Sequence, residues 1–415
     1  MKKTNQISQL IHKGRWEEIS RALIEEKTSI KTSSPSKTYL DTIVELIKID
    51  KKNEALKMIG VCLTIYQNSA TLYNLEGLVH QLKKSLGLAE KAYKKAINLK
   101  PEYTMAWNNL GTIYRELGML SDALICFKRA AKDDTKYTDA LWNLADCLFS
   151  AREFDDSILI CNKLLTSEKK NNAYYLLGLM SRDRRDLSAS MKFFKKAIES
   201  SSIRYYEAEF ELASILANTN QFSAALSTFG SIIECPNLGP KAHANIGLVL
   251  SRVGKLAESL KHFEKALHKG EEGEEVLNGY AVNLNDTGDH DRANRVFQKA
   301  LVKYPNSFTT NFNYGVHLHN RKMYKESQEF IVKSLEINSA EIGLRKIAHG
   351  YMLKNEYEMK NYLKLRSELD NIEPAYVSAM SGYIAAKTKE KSRKDVTNAY
   401  CADPLSYFRH QSLLN

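Results

Sequence analysis

The sequence predicts an all-α protein whose helices form repeated hairpins that stack on one another. The chain of 415 residues contains only 7 prolines and 19 glycines, which favours long helices over a loop-rich β fold. Small residues also recur about every 34 residues, and a second series of small residues follows the first at a constant offset of twelve. A content of 43% hydrophobic and 26% charged residues is that of a folded chain.

The first series of small residues is spaced by 33 to 35 residues and consists of Gly77, Gly111, Ala145, Gly178, Ala213, Gly247, Ala281 and Gly315. The second series consists of Ala89, Ala123, Ser157, Ser190, Ala225, Ser259, Ala293 and Ser327. Four residues later the side chain is mostly large and aromatic, as in Tyr93 and Phe127. Two helices that cross closely need residues without bulk at their contact, with large side chains filling the space around it. Each unit is therefore predicted to be a helical hairpin whose second helix crosses the first at its small residue.

The residues at the ends of the helices support this division. Gly118, Gly254 and Gly288 fit the left-handed position that ends a first helix. Pro101 and Pro305 fall just after a second helix, where proline cannot continue it. One hairpin alone leaves its hydrophobic face exposed, so neighbouring hairpins are expected to stack.

The order of residues within one unit resembles the tetratricopeptide repeat. Residues 104–137 carry it as Trp107, Leu110, Gly111, Tyr114, Ala123, Phe127 and Ala130. This family has a 34-residue period and a helix–turn–helix unit. The resemblance implies an α-solenoid of tandem repeats wound into a right-handed superhelix, whose first helices line a concave groove that receives peptides or partner helices.

The repeat pattern predicts three regions. Residues 1–35 are expected to hold a degenerate repeat, suggested by GRWEEI at 14–19, and a loop. Nine repeats are expected at 36–69, 70–103, 104–137, 138–171, 171–204, 206–239, 240–273, 274–307 and 308–341. Residues 342–415 are predicted to form degenerate hairpins and a C-terminal capping helix, although its last segment (402–415) would also suit a docking peptide.

No motif indicates catalysis or a cofactor. The sequence has no GxGxxG, GxxxxGK[ST], GxSxG or HExxH pattern. His317 and His319 are two residues apart and would point to different sides of a helix, which argues against a metal site. We therefore predict a protein that is not an enzyme and that has no cofactor and no metal.

The remaining features of the sequence predict a cytoplasmic protein whose cysteines are reduced. The six cysteines form no CxxC pair and mostly fall at predicted internal positions. The N-terminus lacks the apolar segment of a signal peptide, and no apolar stretch reaches the roughly 20 residues that span a membrane.

Counting from the small residue of each first helix, we predict the side chains that line the groove. They are Asn108, Asn109, Thr112, Arg115, Trp142, Asn143, Asp146, Tyr175, Arg182, Phe210, Asn245, Asn278, Asn285, Phe312, Asn313 and His319. Asn109, Asn143, Asn245 and Asn313 share one position, two residues before the small one. This resembles the asparagine ladder of O-linked N-acetylglucosamine transferase, whose catalytic part has no counterpart in this chain. Two interpretations stay open for these amides, which are binding of a peptide backbone and hydrogen bonding between neighbouring helices.

The sequence thus predicts a non-catalytic scaffold or adaptor that binds extended peptides or helical segments of other proteins in its groove. One alternative is a targeting subunit of a protein-modifying enzyme, such as a glycosyltransferase or a methyltransferase. Another is an RNA-binding helical repeat, suggested by a net charge of +11. Basic residues gather on the second helices, as in YKKA (93–96), which argues against RNA in the groove. Self-association through the hydrophobic ends of the array stays open.

Overall fold

The computed structural model describes residues 7, 9–11, 13–29, 35–133, 137–337 and 342–359, and every regular element within them is an α-helix. The predicted all-α class of helical repeats is therefore confirmed. The chain divides into two compact units, Met1–Ile203 (unit 1) and Arg204–Asn415 (unit 2). Each unit is described by itself.

The described helices of unit 1 are α1 (Trp16–Ser29), α2 (Lys37–Lys48), α3 (Lys52–Ile65), α4 (Ala70–Leu82), α5 (Leu86–Leu99), α6 (Thr104–Glu116), α7 (Leu120–Asp133), α8 (Thr138–Ser150), α9 (Phe154–Leu164), α10 (Lys170–Asp183) and α11 (Leu187–Glu199). From α2 onward they form hairpins in which an even-numbered first helix packs against the odd-numbered second helix that follows. Consecutive first helices also contact each other, which stacks the hairpins of the unit.

The described helices of unit 2 are α12 (Tyr206–Asn218), α13 (Phe222–Ile232), α14 (Gly239–Arg252), α15 (Leu256–His268), α16 (Glu274–Asp286), α17 (His290–Lys303), α18 (Phe308–Asn320), α19 (Tyr324–Glu336) and α20 (Ile342–Glu358). Helices α12 to α19 form four hairpins of the same kind. The side-chain oxygens of Asp186, Asp289 and Ser307 accept backbone N–H groups at the starts of α11, α17 and α18.

The predicted crossing of the two helices at a small residue is confirmed. A Cβ atom on Gly111 would lie 2.7 Å from Cε1 of Phe127, and one on Gly178 would lie 2.6 Å from Cε1 of Phe194. The rings of Phe127 and Phe194 are fully buried. At these two glycines the first helix therefore lies as close to the large side chain of its partner as a missing methyl group allows.

Serine in the second series adds a hydrogen bond to this contact. The hydroxyl of Ser190 donates to the carbonyl oxygen of Gly178 at 2.8 Å, and that of Ser327 donates to Gly315 at 2.7 Å. Ser157 and Ser259 make the same bond to the small residue twelve positions earlier. The bond satisfies a buried hydroxyl, which is why a polar residue is tolerated at a fully buried crossing.

The turn inside each hairpin contains one residue with a left-handed backbone. Gly118, Gly254 and Gly288 have φ values of 76°, 79° and 87°, as predicted. The equivalent positions in the other hairpins hold residues with a side chain: Asp50, Lys84, Arg152, Arg185, Asn220 and Lys322. Next to Gly118, the N–H of Met119 donates to the carbonyl oxygen of Tyr114 at 2.8 Å, which closes the end of α6.

Helix α20 occupies the place of a further first helix on the hairpin α18–α19. Asn355 donates to the hydroxyl of Ser327 at 2.8 Å, just as Asn283 donates to Ser259 at 2.7 Å two hairpins earlier. Residues 348–357, predicted as part of a degenerate hairpin, thus lie in one helix. The predictions for residues 360–415, including the C-terminal segment 402–415, lie outside the described residues.

Four of the cysteines, Cys62, Cys126, Cys147 and Cys161, are buried as free thiols, which agrees with their predicted internal positions. Burial raises the pKa of the Cys62 thiol to about 12. A thiol that stays protonated behaves as a small hydrophobic side chain rather than as a nucleophile.

Candidate functional site

The predicted groove residues of unit 1 are mostly half-buried and form a polar surface on its first helices. We call this surface, on α4, α6, α8 and α10, the first-helix face of unit 1. Its centre is a pair of amide–amide hydrogen bonds between neighbouring helices. Asn109 donates through Nδ2 to Oδ1 of Asn74 at 3.0 Å, and Asn143 donates in the same way to Asn108 at 2.8 Å.

These bonds need a second asparagine that the ladder pattern alone does not include. The acceptor lies 35 residues before the donor, one position earlier in the preceding repeat. Asn245 has Phe210 at that place, and its amide donates instead to the carbonyl oxygen of Lys241 on its own helix, at 3.0 Å. A second asparagine 35 residues earlier is thus the sequence signal that a ladder asparagine makes an amide–amide hydrogen bond to the neighbouring helix.

The acceptors are buried, whereas the donors in unit 1 are half-buried. Asn74 and Asn108 are 3% and 6% exposed. Asn109 and Asn143 keep part of their surface in solvent, and their Oδ1 atoms have no hydrogen-bond partner among the described residues. Each donor therefore has a fixed orientation and an open acceptor atom.

Two charged residues lie beside this ladder. Nη1 of Arg115 on α6 is 2.7 Å from Oδ2 of Asp146 on α8, and both side chains are about one-third exposed. Burial raises the pKa of the Asp146 carboxyl group, and the neighbouring guanidinium of Arg115 opposes that rise. Trp142, also on α8, is half-buried, and Thr112 donates its hydroxyl to the carbonyl oxygen of Asn108 at 3.1 Å.

Tyr175 and Arg182 on α10 continue the face, and both are half-buried. The ring of Tyr175 lies 5.8 Å from that of Phe194, and the guanidinium of Arg182 is 3.4 Å from the carboxylate of Asp183. Phe210, on α12 in unit 2, is half-buried and meets Phe229 edge-on at 5.5 Å.

The remaining predicted groove residues of unit 2 lie mostly in its interior. Asn313 donates to Asn278 at 3.3 Å, which repeats the ladder bond, but these two side chains are only 2% and 4% exposed. Phe312 is fully buried and meets Tyr351 of α20 edge-on at 5.9 Å. Sequence reasoning did not foresee this cover, because the repeat pattern decays before α20 begins.

Histidines of unit 2 form a second polar network, which is buried at His317, Asn285 and Asn355. Oδ1 of Asn285 lies 2.8 Å from Nδ1 of His317 and 3.1 Å from Nδ1 of His290. Nδ1 of His319 lies 2.6 Å from Oδ1 of Asn355. Burial lowers the pKa of His317 to about 4, and the nearby Arg321 and His290 lower it further. Asn285 and His319 thus hold α16, α18 and α20 together through side-chain hydrogen bonds.

Across the described part of the chain, no group of three or more His, Cys, Asp or Glu side chains is placed to hold a metal ion. Within the same residues, no helix is both long and apolar enough to cross a membrane.

Comparison with known families gives several matches. Three family models, each described as tetratricopeptide repeat, match the chain at residues 92–125, at 120–172 and 244–308, and at 70–103 and 172–203.

Two curated proteins are related to parts of the chain. The yeast Saccharomyces cerevisiae protein "Essential for maintenance of the cell wall protein 1" is 25% identical over 112 residues, which are 27% of this chain and 12% of that protein. A TPR repeat-containing protein of Methanocaldococcus jannaschii is 23% identical over 282 residues, which are 62% of this chain and 48% of that protein. The chain therefore spans less than half the length of each of these relatives.

Three solved structures are among those that are similar to this chain. The type IV pilus biogenesis factor PilW has a TM-score of 0.43 and 16% identity over 47% of this chain and 90% of its own. Yeast Tom70 has a TM-score of 0.40 and 12% identity over 78% and 96%. YrrB, described as a TPR protein with an unusual peptide-binding site, has a TM-score of 0.31 and 18% identity over 53% and 95%.

Proposed function

We propose that this chain, a protein built of tetratricopeptide repeats, is a non-catalytic interaction scaffold that binds an extended segment of another protein on the first-helix face of unit 1. The observation that carries the proposal is the pair of half-buried amides, Asn109 and Asn143, each fixed by one hydrogen bond and each with an open Oδ1 atom. An extended peptide presents backbone N–H groups that such atoms can accept.

The fixed orientation of these amides favours binding. A side chain that is already ordered loses little conformational entropy when a ligand arrives. Asn74 and Asn108 provide that order, because they are buried and hold the donors from the preceding repeat. The two interpretations of the ladder are therefore compatible, since one end of each amide joins the helices and the other end stays open.

The surroundings of the ladder suit a peptide better than a nucleic acid. Trp142 offers a half-buried ring for an apolar side chain. The two arginines of the face, Arg115 and Arg182, both lie beside carboxylates, Asp146 and Asp183. Binding along a phosphate backbone depends on unneutralised positive charge, which neither of these arginines offers.

The proposal restricts the site to fewer residues than the sequence predicted. The side chains of Asn278, Asn285, Phe312 and Asn313 are at most 9% exposed, so they support unit 2 from inside. The residues that we expect to touch a ligand are Asn109, Thr112, Trp142, Asn143 and Tyr175.

Affinity capture from a cell lysate tests this site with two matched variants. The first combines Asn109→Ala, Trp142→Ala and Asn143→Ala. The control combines Asn278→Ala and Asn313→Ala, which removes the same kind of amide bond from the interior of unit 2. Helical content of both variants is checked by circular dichroism.

We expect proteins captured by the native chain to be depleted at least tenfold with the first variant and to stay bound to the control. If both variants lose the same proteins, the ladder acts through stability alone. If neither loses them, the partners bind elsewhere and the proposed face is wrong.

A further inference from the structure

Unit 1 contains a recess where α9, α10 and α11 meet, away from the amide ladder. This recess, which we call the Ser181 cleft, has a volume of about 260 Å³. Its floor is formed by Leu177 and Met180, which are 6% and 1% exposed. Ser181 lies beside them on α10 and uses its hydroxyl to donate to the carbonyl oxygen of Leu177 at 2.8 Å.

The cleft exists because Ser181 is small. It lies three residues after the small residue Gly178 of its first helix. The same position in the eight other hairpins holds a large side chain: Leu46, His80, Tyr114, Leu148, Leu216, Leu250, Leu284 and Leu318. The space that a large side chain fills in the other hairpins is therefore left open beside Ser181.

Tyr114 shows what fills this space two hairpins earlier. Its hydroxyl donates to the carboxylate of Glu90 at 3.2 Å, and Nζ of Lys94 lies 5.8 Å from the centre of its ring. Residues 90 and 94 lie on the second helix that precedes Tyr114, and their counterparts 68 positions later are Ile158 and Asn162. Both of these line the Ser181 cleft, so the cleft corresponds to the volume of a missing aromatic ring.

The walls of the cleft are aromatic and its rim is cationic. The rings of Tyr174 and Phe193 stack at 6.4 Å, and both side chains are half-buried. Nζ of Lys196 lies 5.3 Å from the centre of the Tyr174 ring. Arg184 is the second cation on the rim, and none of the residues that line the cleft is acidic.

One carboxylate outside the cleft pairs with this rim. Nη2 of Arg184 is 2.7 Å from Oδ1 of Asp155, whose side chain is 94% exposed. An exposed pair of this kind contributes little free energy, so a second carboxylate can share or replace Asp155.

We propose that the Ser181 cleft binds one aromatic side chain from an acidic segment of a partner protein. The ring of the partner takes the place that Tyr114 fills in its own hairpin, and flanking Asp or Glu residues pair with Arg184 and Lys196. Small-molecule sites usually enclose roughly 300–1,000 Å³, so a cleft of about 260 Å³ suits a single anchoring side chain rather than a larger ligand. This site does not depend on the first-helix face and uses none of its residues.

Selection from a displayed library of random dodecapeptides tests the proposal on the full chain. Enriched peptides are synthesised with a fluorophore, and their binding is measured by anisotropy against native protein and Ser181→Leu. Leucine occurs at this position in six other hairpins, so Ser181→Leu should fill the cleft and melt at or above the native temperature. Ser181→Tyr serves as a second filling variant, because tyrosine occupies the equivalent position, Tyr114, two hairpins earlier. Ser121→Leu on the exposed side of α7 is the matched control.

We expect enriched peptides to carry an aromatic residue next to Asp or Glu, and to lose at least tenfold in affinity with both filling variants but not with Ser121→Leu. Arg184→Gln combined with Lys196→Gln should weaken binding several-fold and reduce its dependence on salt. The proposal is overturned if the filling variants bind as the native chain does, or if no peptide is enriched. It is also overturned if mixed RNA competes for the site and is lost only with the charge variant, because the rim would then recognise phosphate.

Discussion

Gly111 lies where α6 and α7 cross, and its missing side chain sets the distance between the two helices. Cε1 of Phe127 would be 2.7 Å from a Cβ atom placed on Gly111. The same relation joins Gly77 to Tyr93 and Gly247 to Phe263. These aromatic rings are fully buried and have little room to move. A larger side chain at the small position would therefore clash with the ring.

Substitution of alanine for Gly111 should therefore destabilise unit 1. We expect a loss of about 1 kcal/mol, at the lower end for overpacked cores, because Ala213 and Ala281 occur opposite Phe229 and Phe297. The control is Gly60→Ala on α3, where a Cβ atom meets nothing within 4 Å. Gly60→Ala should stabilise the protein by about 0.5–1 kcal/mol through helix propensity. Urea denaturation followed by circular dichroism measures both, and equal shifts in the same direction would contradict the proposed clash.

Amide bonds between neighbouring first helices join hairpins through side chains in addition to packing. Asn143 and Asn108 form one bond, whereas Asn143 and Asn109 occupy the same ladder position in adjacent repeats and bond to different partners. A double-mutant cycle of Asn108→Ala and Asn143→Ala should give a coupling free energy of about 0.5–1.5 kcal/mol. The cycle of Asn109→Ala and Asn143→Ala should give a coupling close to zero. Equal coupling in both cycles would show that the bond does not carry the interaction.

Buried histidines make the hairpins of unit 2 sensitive to acid. Burial lowers the pKa of His243 to about 4, with further lowering by His262, Lys269 and Lys265, and burial likewise lowers that of His317 to about 4. A folded-state pKa below the unfolded value means that the unfolded chain binds the proton first. The stabilisation is complete above about pH 6.5 and is lost as the pH falls toward 4.

Between pH 7 and pH 5 each of these two histidines should therefore remove about 1–2 kcal/mol of stability. The measurement compares urea midpoints at the two pH values for native protein and for His317→Gln, in which the glutamine amide can still donate to Asn285. The pH effect should shrink in that variant and stay at the native size in His268→Gln, which changes an exposed side chain. An undiminished effect in His317→Gln would assign the acid sensitivity to other groups.

The period of the sequence predicts the hairpins because the two helices of every repeat cross at a small residue that faces a large one. The roles of Gly111, Phe127 and the turn at Gly118 could be predicted from the sequence for this reason. The exposure of a groove residue depends instead on what covers it. Phe312 lies at a predicted groove position, but it is fully buried and its ring meets Tyr351 of α20, a helix that lies beyond the predicted repeats. Ser181 is a different case, since an exception within the aligned repeats marks the cleft, although its volume and walls become apparent only once the helices are packed.

At the scale of the whole molecule, stability is distributed over hairpins that contact their neighbours in the stack. In unit 1, α6 and α7 pack against each other and against α4, α5 and α8. In unit 2, α16 and α17 pack against each other and against α14, α15 and α18 in the same manner. In such arrays the free energy of unfolding is approximately a sum of terms for each repeat and for each contact between neighbours. A destabilising substitution should therefore lower the free energy of unfolding most in the hairpins next to it.

Removing one buried ring from each unit tests this distribution. Phe127→Ala and Phe297→Ala each leave a cavity at the centre of a hairpin, with an expected local loss of about 3–5 kcal/mol. Amide hydrogen exchange followed by mass spectrometry should show faster exchange in α4–α9 for Phe127→Ala, with α16–α19 unchanged. Phe297→Ala should give the reverse pattern, with faster exchange in α14–α19 and native protection in α4–α9. If either substitution instead accelerates exchange in all these helices by the same factor, the chain unfolds as one cooperative block, and its stability is not a sum over neighbouring hairpins.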